Sequence, residues 1–384
     1  MALLLLTVIY LSYISIGLPD SLLGAAWPAM QSALGVPLSN AGFLSMIISC
    51  GTVCSSLLAD RLLRRFGTGT VVSCSVLLTA VALYGFSAAS DFPMLCICAI
   101  PYGLGAGAID AGLNHYVAVH YAARHMNWLH CFWGIGAAAS PYIMSFYLHR
   151  SEDWQGGYRT VALLLFVLTA LLFSSLPLWQ RSGANTSDEA DALHIPLPIL
   201  LRTRGVRQSL IMFFSYCAME STMGLWAGSF LVHERGMEAE TAARFASCYY
   251  IGITIGRLAG GFIAERLGTR RMIRLGLCGV TGGVLLLLLP FHRSIALCGL
   301  TLAGIGTAPI YPAMLHETPI RFGRERAQTL IGIQMASAYL GTTLMPPIFG
   351  VLADRAGMGM LPLFLMLFLV LIALLTGENR GDLL

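Results

Sequence analysis

The sequence predicts an all-helical membrane protein, with twelve transmembrane helices in two pseudo-symmetric six-helix halves. Three observations predict it. Of 384 residues, 57% are hydrophobic and only 11% are charged, where a soluble domain carries about 25% charged residues. Such a chain cannot cover itself with polar surface. The apolar residues fall in twelve stretches close to the roughly 20 residues a span needs. Short motifs of the first half also return about 200 residues later, and repeated halves are a known transporter plan.

The spans lie at 3–31, 39–60, 68–90, 93–121, 127–149, 158–180, 207–232, 240–264, 269–290, 294–316, 327–352 and 359–377. The first is read as a span rather than a cleaved leader, because it lacks a basic start and a small-residue cleavage site before Asp20. The basic residues are all arginine. With both termini in the cytoplasm, the inner loops and tail hold arginines 61, 64, 65, 124, 181, 202, 204, 207, 266, 270, 271, 274, 321, 324, 326 and 380. The outer loops and adjoining span ends hold 150, 159, 235, 244, 293 and 355, and Arg257 is left inside a span. This is the asymmetry of the positive-inside rule. The polar segment 181–205 reads as a cytoplasmic linker between a 1–180 half and a 206–384 half. The expected setting is the cell membrane, specifically a bacterial inner membrane, with the chain multi-pass and monomeric.

The repeat is visible residue by residue. "LADRL" at 58–62 returns as "IAERL" at 263–267, and "GLGAGAID" at 103–110 as "GIGTAPIY" at 304–311. Asp20 and Gly24 return as Glu220 and Gly224.

Composition also excludes. Without lysine there is no Schiff-base chemistry and no lysine phosphate clamp. The net charge of +4 is spread over short loops, so nucleic acid is not a partner. The ten cysteines sit in apolar stretches and read as small buried hydrophobes rather than metal ligands. No Ser/His/Asp, metal-ligand or phosphate-loop pattern lies on a polar face. The chain is not read as an enzyme, and no metal or cofactor is expected.

Ionisable groups inside spans are functional hypotheses. Asp20 follows Pro19, which loosens the helix and frees backbone groups. By helical spacing it shares a face with Tyr13, Gly17, Gly24 and Trp27. In span four, Gly103, Gly107, Asp110 and Asn114 share a face. Two acids on two helices of one half suggest a proton site and a substrate or coupling site. Glu220 with Trp226 suits a hydroxyl-rich ligand, the carboxylate accepting from hydroxyls and the ring stacking on a C–H face. Gln334 in span eleven adds a neutral amide, and Tyr311 in span ten a phenol. His130 and Trp133, one turn apart in span five, line the same cavity. Arg257 reads as a structural residue that either reaches the cytoplasmic rim or pairs with an acid there.

Two loops carry charge motifs. "GGFIAERLGTRRM" supplies Gly261, Glu265, Arg266, Gly268, Arg270 and Arg271, and "SSLLADRLLRRFG" supplies Asp60, Arg61, Arg64 and Arg65 in a degraded copy. An acid beside arginines on the rim forms a charge lock that can break as two halves rock. These residues resemble the major facilitator signature G-x3-D/E-R-x-G-x-R/K-R, and the resemblance extends along essentially the whole chain. Within that superfamily, "IDAGLNHYV", "YCAMESTMGLWAGSFL", "GIGTAPIYPAMLHETP" and "GIQMASAYLGTTLMPP" resemble the fucose–galactose–glucose/proton symporter branch and its bacterial relatives. Span four departs from that branch in having Asp rather than Glu. The resemblance implies proton coupling at Asp20, and sugar binding with coupling at Asp110. It also implies a twelve-helix fold working by alternating access.

The expected function is therefore secondary active transport, with import of a sugar or polyol coupled to protons, or to sodium as the other ion a carboxylate can ligate. The alternative is a proton-driven exporter of drugs or small metabolites on the same fold. The expected partners are the small-molecule substrate, the coupling ion and the lipid bilayer.

Overall fold

A computed structural model describes residues 2–121, 123–151, 153–180, 202–289 and 293–378. The apolar stretches become helices because lipid offers no water to backbone amides, so each segment must satisfy its own. The first expected span is two helices, α1 (Ala2–Asp20) and α2 (Leu22–Leu34), broken at Ser21. There follow α3 (Asn40–Phe66), α4 (Thr68–Ser87), α5 (Phe92–His120), α6 (Ala123–Ser151), α7 (Trp154–Ser174) and the short α8 (Leu176–Gln180). The expected linker lies outside the described residues up to position 201. Beyond it run α9 (Val206–Arg235), α10 (Ala239–Leu267), α11 (Thr269–Leu288), α12 (Arg293–Thr307), α13 (Ile310–Phe322), α14 (Arg324–Ala356) and α15 (Leu361–Glu378). Each expected span thus coincides with one helix or a broken pair.

Among the described residues, nine helical segments are both long and apolar enough to cross a membrane. The long helices outside that set are α6, α9 and α10. They carry His130, Glu220 and Arg257, so the polarity that lowers their hydropathy is itself the trace of a site.

Helix ends follow ordinary capping chemistry, and the motif loops turn alike in both halves. Asp91 caps α5 by accepting from the Met94 amide at 2.9 Å, and Asp153 caps α7 by accepting from the Gly156 amide at 2.9 Å, a standard use of the N-cap carboxylate. The motif loops turn on Gly67 (φ 78°, ψ 152°) and Gly268 (φ 73°, ψ 159°). Only glycine adopts that backbone without strain, which explains why the signature keeps a glycine there.

Packing repeats too. A methyl group at Gly103 would strike the Ile48 carbonyl, and one at Gly304 the Tyr249 carbonyl. Both glycine and target are offset by 201, so the same close helix approach is built twice.

The halves meet along α3 with α14, α6 with α10, and α2 with α9 and α10. Contacts between them extend to the end holding the loops after α2, α6, α9 and α14. There the Ser39 amide donates to the Asp354 carboxylate at 3.3 Å, His149 Nδ1 lies 2.7 Å from Glu240 Oε2, and Ser247 donates to the Ala138 carbonyl at 2.6 Å. This is the end that the arginine count predicts to be the outer one, and these contacts join the two halves across it.

At the other end two motif pairs lie within single halves. Asp60 pairs with Arg64 on α3 rather than with Arg61, and Arg270 lies 3.8 Å from Glu317. Arg65 stacks on neighbouring Phe66, and Arg266 is exposed. The side chain of Glu265 lies outside the described ones, as does the surface of Gly261.

The ten cysteines correct an expectation. All are free; Cys50, Cys54, Cys74, Cys278 and Cys298 are exposed and the others are half-buried. A thiol is apolar enough to face lipid, so in this bundle a small apolar residue need not be a core residue.

Candidate substrate and proton site

The break at Ser21 places the first acid. Pro19 cannot donate a backbone hydrogen bond, and the helix stops one residue later. Ser21 turns its hydroxyl to α6, donating to the Ala137 carbonyl at 2.6 Å and lying 2.7 Å from Ser140 Oγ. Asp20 is thereby left at a helix end in mid-bundle, and it is exposed. A carboxylate exposed at that depth, within electrostatic reach of Asp110 and Glu220, faces a water-reachable space between the halves.

The partner of Asp20 is Trp133 on α6, whose indole Nε1 donates to Asp20 Oδ2 at 2.7 Å. The break separates Trp27, on α2, from that face, while Tyr13 and Asp20 stay seven residues apart on α1 with different partners. Tyr13 instead donates to Asp110 Oδ1 at 2.7 Å, and Asn114 Nδ2 donates to the same oxygen at 2.9 Å. The His130 ring meets Tyr13 edge-on, with centroids 5.4 Å apart.

Across the interface, Glu220 on α9 faces Arg257 on α10. Arg257 Nη2 lies 3.6 Å from Glu220 Oε1, with the two side chains 16% and 24% exposed. The guanidinium carbon also stands 4.7 Å from the centroid of the Trp133 ring, a favourable cation–π position. Asp20, Trp133, Arg257 and Glu220 therefore form one chain of contacts that begins in the N-terminal half and ends in the C-terminal half. Tyr250 closes on it edge-on to Trp133, with centroids 6.2 Å apart. Arg257 belongs to this group rather than to the cytoplasmic rim. Its signal was present in the spacing Tyr250, Thr254, Arg257, which puts one polar stripe on α10.

The same family model, that of the Major Facilitator Superfamily, matches residues 9–327 and again 208–380. The chain belongs to the Major Facilitator Superfamily. A glucose/mannose transporter of Bacillus subtilis is 20% identical, over 89% of this chain and 86% of that protein. A cis,cis-muconate transport protein of Acinetobacter baylyi is 21% identical, over 88% and 84%. The inward-open xylose transporter of E. coli superposes with a TM-score of 0.80 at 13% identity, over 98% of this chain and 96% of that one. As a member of this superfamily the chain is a transporter and a multi-pass membrane protein.

Other expected ligand contacts sit apart from the acid–arginine chain in this conformation. Trp27 and Trp226 are fully buried. Their indoles donate to the Leu38 carbonyl at 3.1 Å and the Pro346 carbonyl at 2.9 Å, and Trp226 packs on Phe349. Gln334 is fully buried, donating to Ser209 Oγ at 2.7 Å and accepting from Thr318 Oγ1 at 3.0 Å. An amide with both ends bonded to neighbouring helices is a packing tie. Tyr311 is half-buried and donates to Met335 Sδ at 2.9 Å, within electrostatic reach of Asp110 and Glu220.

Proposed function

We propose that the protein imports a sugar or similar polyhydroxylated solute together with protons, by alternating access between halves 1–180 and 206–384. The contact chain Asp20–Trp133–Arg257–Glu220 carries the reading, since it joins an ionisable group of each half through one water-reachable space. The sealed outer end and the exposure of Asp20 fit a transporter that delivers to the cytoplasmic side. Asp20 takes the coupling proton, and Trp133 reports its charge to Arg257. Asp110, held by Tyr13 and Asn114, contributes acceptors to the substrate site. The glucose/mannose relative supports a sugar, and the arginine asymmetry supports cytoplasmic termini in a bacterial inner membrane.

Reconstitution into liposomes with an imposed inward-acidifying pH gradient tests this, using labelled glucose, mannose, xylose and their sugar acids. Accumulation above the level without a gradient is expected, with a sodium gradient as the control for the coupling ion. Asp20→Asn is expected to abolish uphill accumulation and keep exchange down a gradient. Uphill transport at the wild-type rate in that variant removes Asp20 from coupling.

A further inference from the structure

The ion pair in the centre of the bundle is incomplete. Glu220 Oε1 is buried and has no hydrogen-bond partner, although Arg257 Nη2 is 3.6 Å away. Among the described residues Arg257 donates no hydrogen bond. Its contacts are the ion pair and the face of Trp133. A guanidinium has five N–H donors in a planar fork. Leaving that fork open in a partly buried place costs free energy unless something else fills it. The two acids of the N-terminal half do not compete for it, since Asp20 accepts from Trp133, and Asp110 from Tyr13 and Asn114.

We infer that the transported solute carries one carboxylate, which displaces Glu220 as the partner of Arg257 while Glu220 takes up a proton. This rests on the transport reading above and specifies its substrate class as a sugar acid. A carboxylate fits the fork with two parallel hydrogen bonds, which a sugar hydroxyl cannot supply. The charge balances: one anion and one proton enter together, and the site's net charge is unchanged. An uptake of one anion without the proton would leave two carboxylates on one guanidinium. Trp133, under the guanidinium, carries the change to Asp20.

The groups facing Glu220 are Arg257, Tyr249 and Tyr250 on α10, Asp20 on α1, Tyr311 on α13, and Tyr216 and Cys217 on α9 itself. Of these, Arg257 is the cation. Its engagement by the solute therefore takes from Glu220 the cation it is paired with.

The test uses two matched pairs, D-glucuronate with D-glucose and D-galacturonate with D-galactose, bound to purified full-length protein. At least one uronate is expected to bind about tenfold or more tighter than its neutral sugar, the range of a charge-assisted bidentate pair. Arg257→Gln is expected to erase that advantage, and Arg257→Lys to keep part of it. In weakly buffered solution, wild-type protein is expected to take up about one proton per uronate bound and none per hexose. Glu220→Gln is expected to bind the uronate without proton uptake. This wild-type measurement stands even if the arginine variants misfold. Hexose binding equal to or tighter than uronate binding overturns the inference and leaves sugar transport intact. So does a uronate advantage that survives Arg257→Gln, or uronate binding without proton uptake. Binding of neither class overturns both readings.

Discussion

Adding one methyl group at Gly24 should hold the outer end of the bundle open. In the sealed conformation, a Cβ on Gly24 would lie 2.6 Å from the Gly224 carbonyl oxygen and 2.8 Å from that of Leu225. Ordinary carbon contacts are about 3.5–4.0 Å, so the overlap approaches 1 Å. Both targets are backbone, and no rotamer can relieve the clash. The whole of α2 must move off α9. Overpacking of this kind costs about 1–3 kcal/mol, and here it falls only on the conformation in which the two helices touch. The ratio of sealed to open molecules should therefore drop by roughly 5- to 150-fold, at 1.4 kcal/mol per decade. The assay is disulfide cross-linking of Ser39→Cys with Asp354→Cys, neighbours across the sealed end, in a background lacking the native cysteines. Gly24→Ala should slow the cross-link by a factor in that range while the protein remains folded by size-exclusion chromatography and thermal melt. An unchanged rate in folded protein would refute the argument that this contact closes the outer end.

Trp133→Phe keeps the ring but removes the donor to Asp20. The loss of a hydrogen bond to a charged group, about 1.5–3 kcal/mol, should lower gradient-driven uptake in proteoliposomes by ten- to a hundredfold with the cation–π contact retained. Gln334→Leu should lower thermal stability by about 1–3 kcal/mol, because Ser209 and Thr318 lose their shared buried partner. Its solute affinity by equilibrium binding should stay within about twofold of wild type.

What the residues disclosed before folding was periodic and local. Span positions, the motif loops and the 200-residue repeat all follow from patterns that helices in lipid must obey, and the repeat is legible down to Gly103 and Gly304. The acids at 20, 110 and 220 stand out because a carboxylate in an apolar run has few innocent explanations. Partners were another matter. Spacing puts Tyr13 on the face of Asp20, but only the packing of α1 against α5 shows that its hydroxyl goes to Asp110. A lone arginine in a span reads as reaching for the rim, whereas packing puts Arg257 against Glu220 and Trp133. The tryptophans at 27 and 226 look like ligand platforms in a list of residues. Each spends its indole N–H on a carbonyl that only tertiary packing brings near. Gln334 shows the same limit, since a spacing rule cannot say whether an amide at mid-span faces a cavity or another helix.

The interruption at Ser21 has a mechanical consequence. Helix α1 packs chiefly on α6, while α2 packs on α9 and α10 as well as α6. The first crossing is thus covalently part of one half and, beyond Ser21, leans against the other. With 13 residues and a rise of about 1.5 Å per residue, α2 is a lever of roughly 20 Å. A tilt of about 10° at its root carries the tip about 3 Å, a distance comparable to the contacts that hold the outer end shut. The fulcrum is Ser21, and the residue beside it is Asp20. With the coupling role proposed for Asp20, loss or gain of a proton at the fulcrum, where displacement is smallest, would act on the tip where displacement is greatest, giving a charge at the centre leverage on contacts far from it.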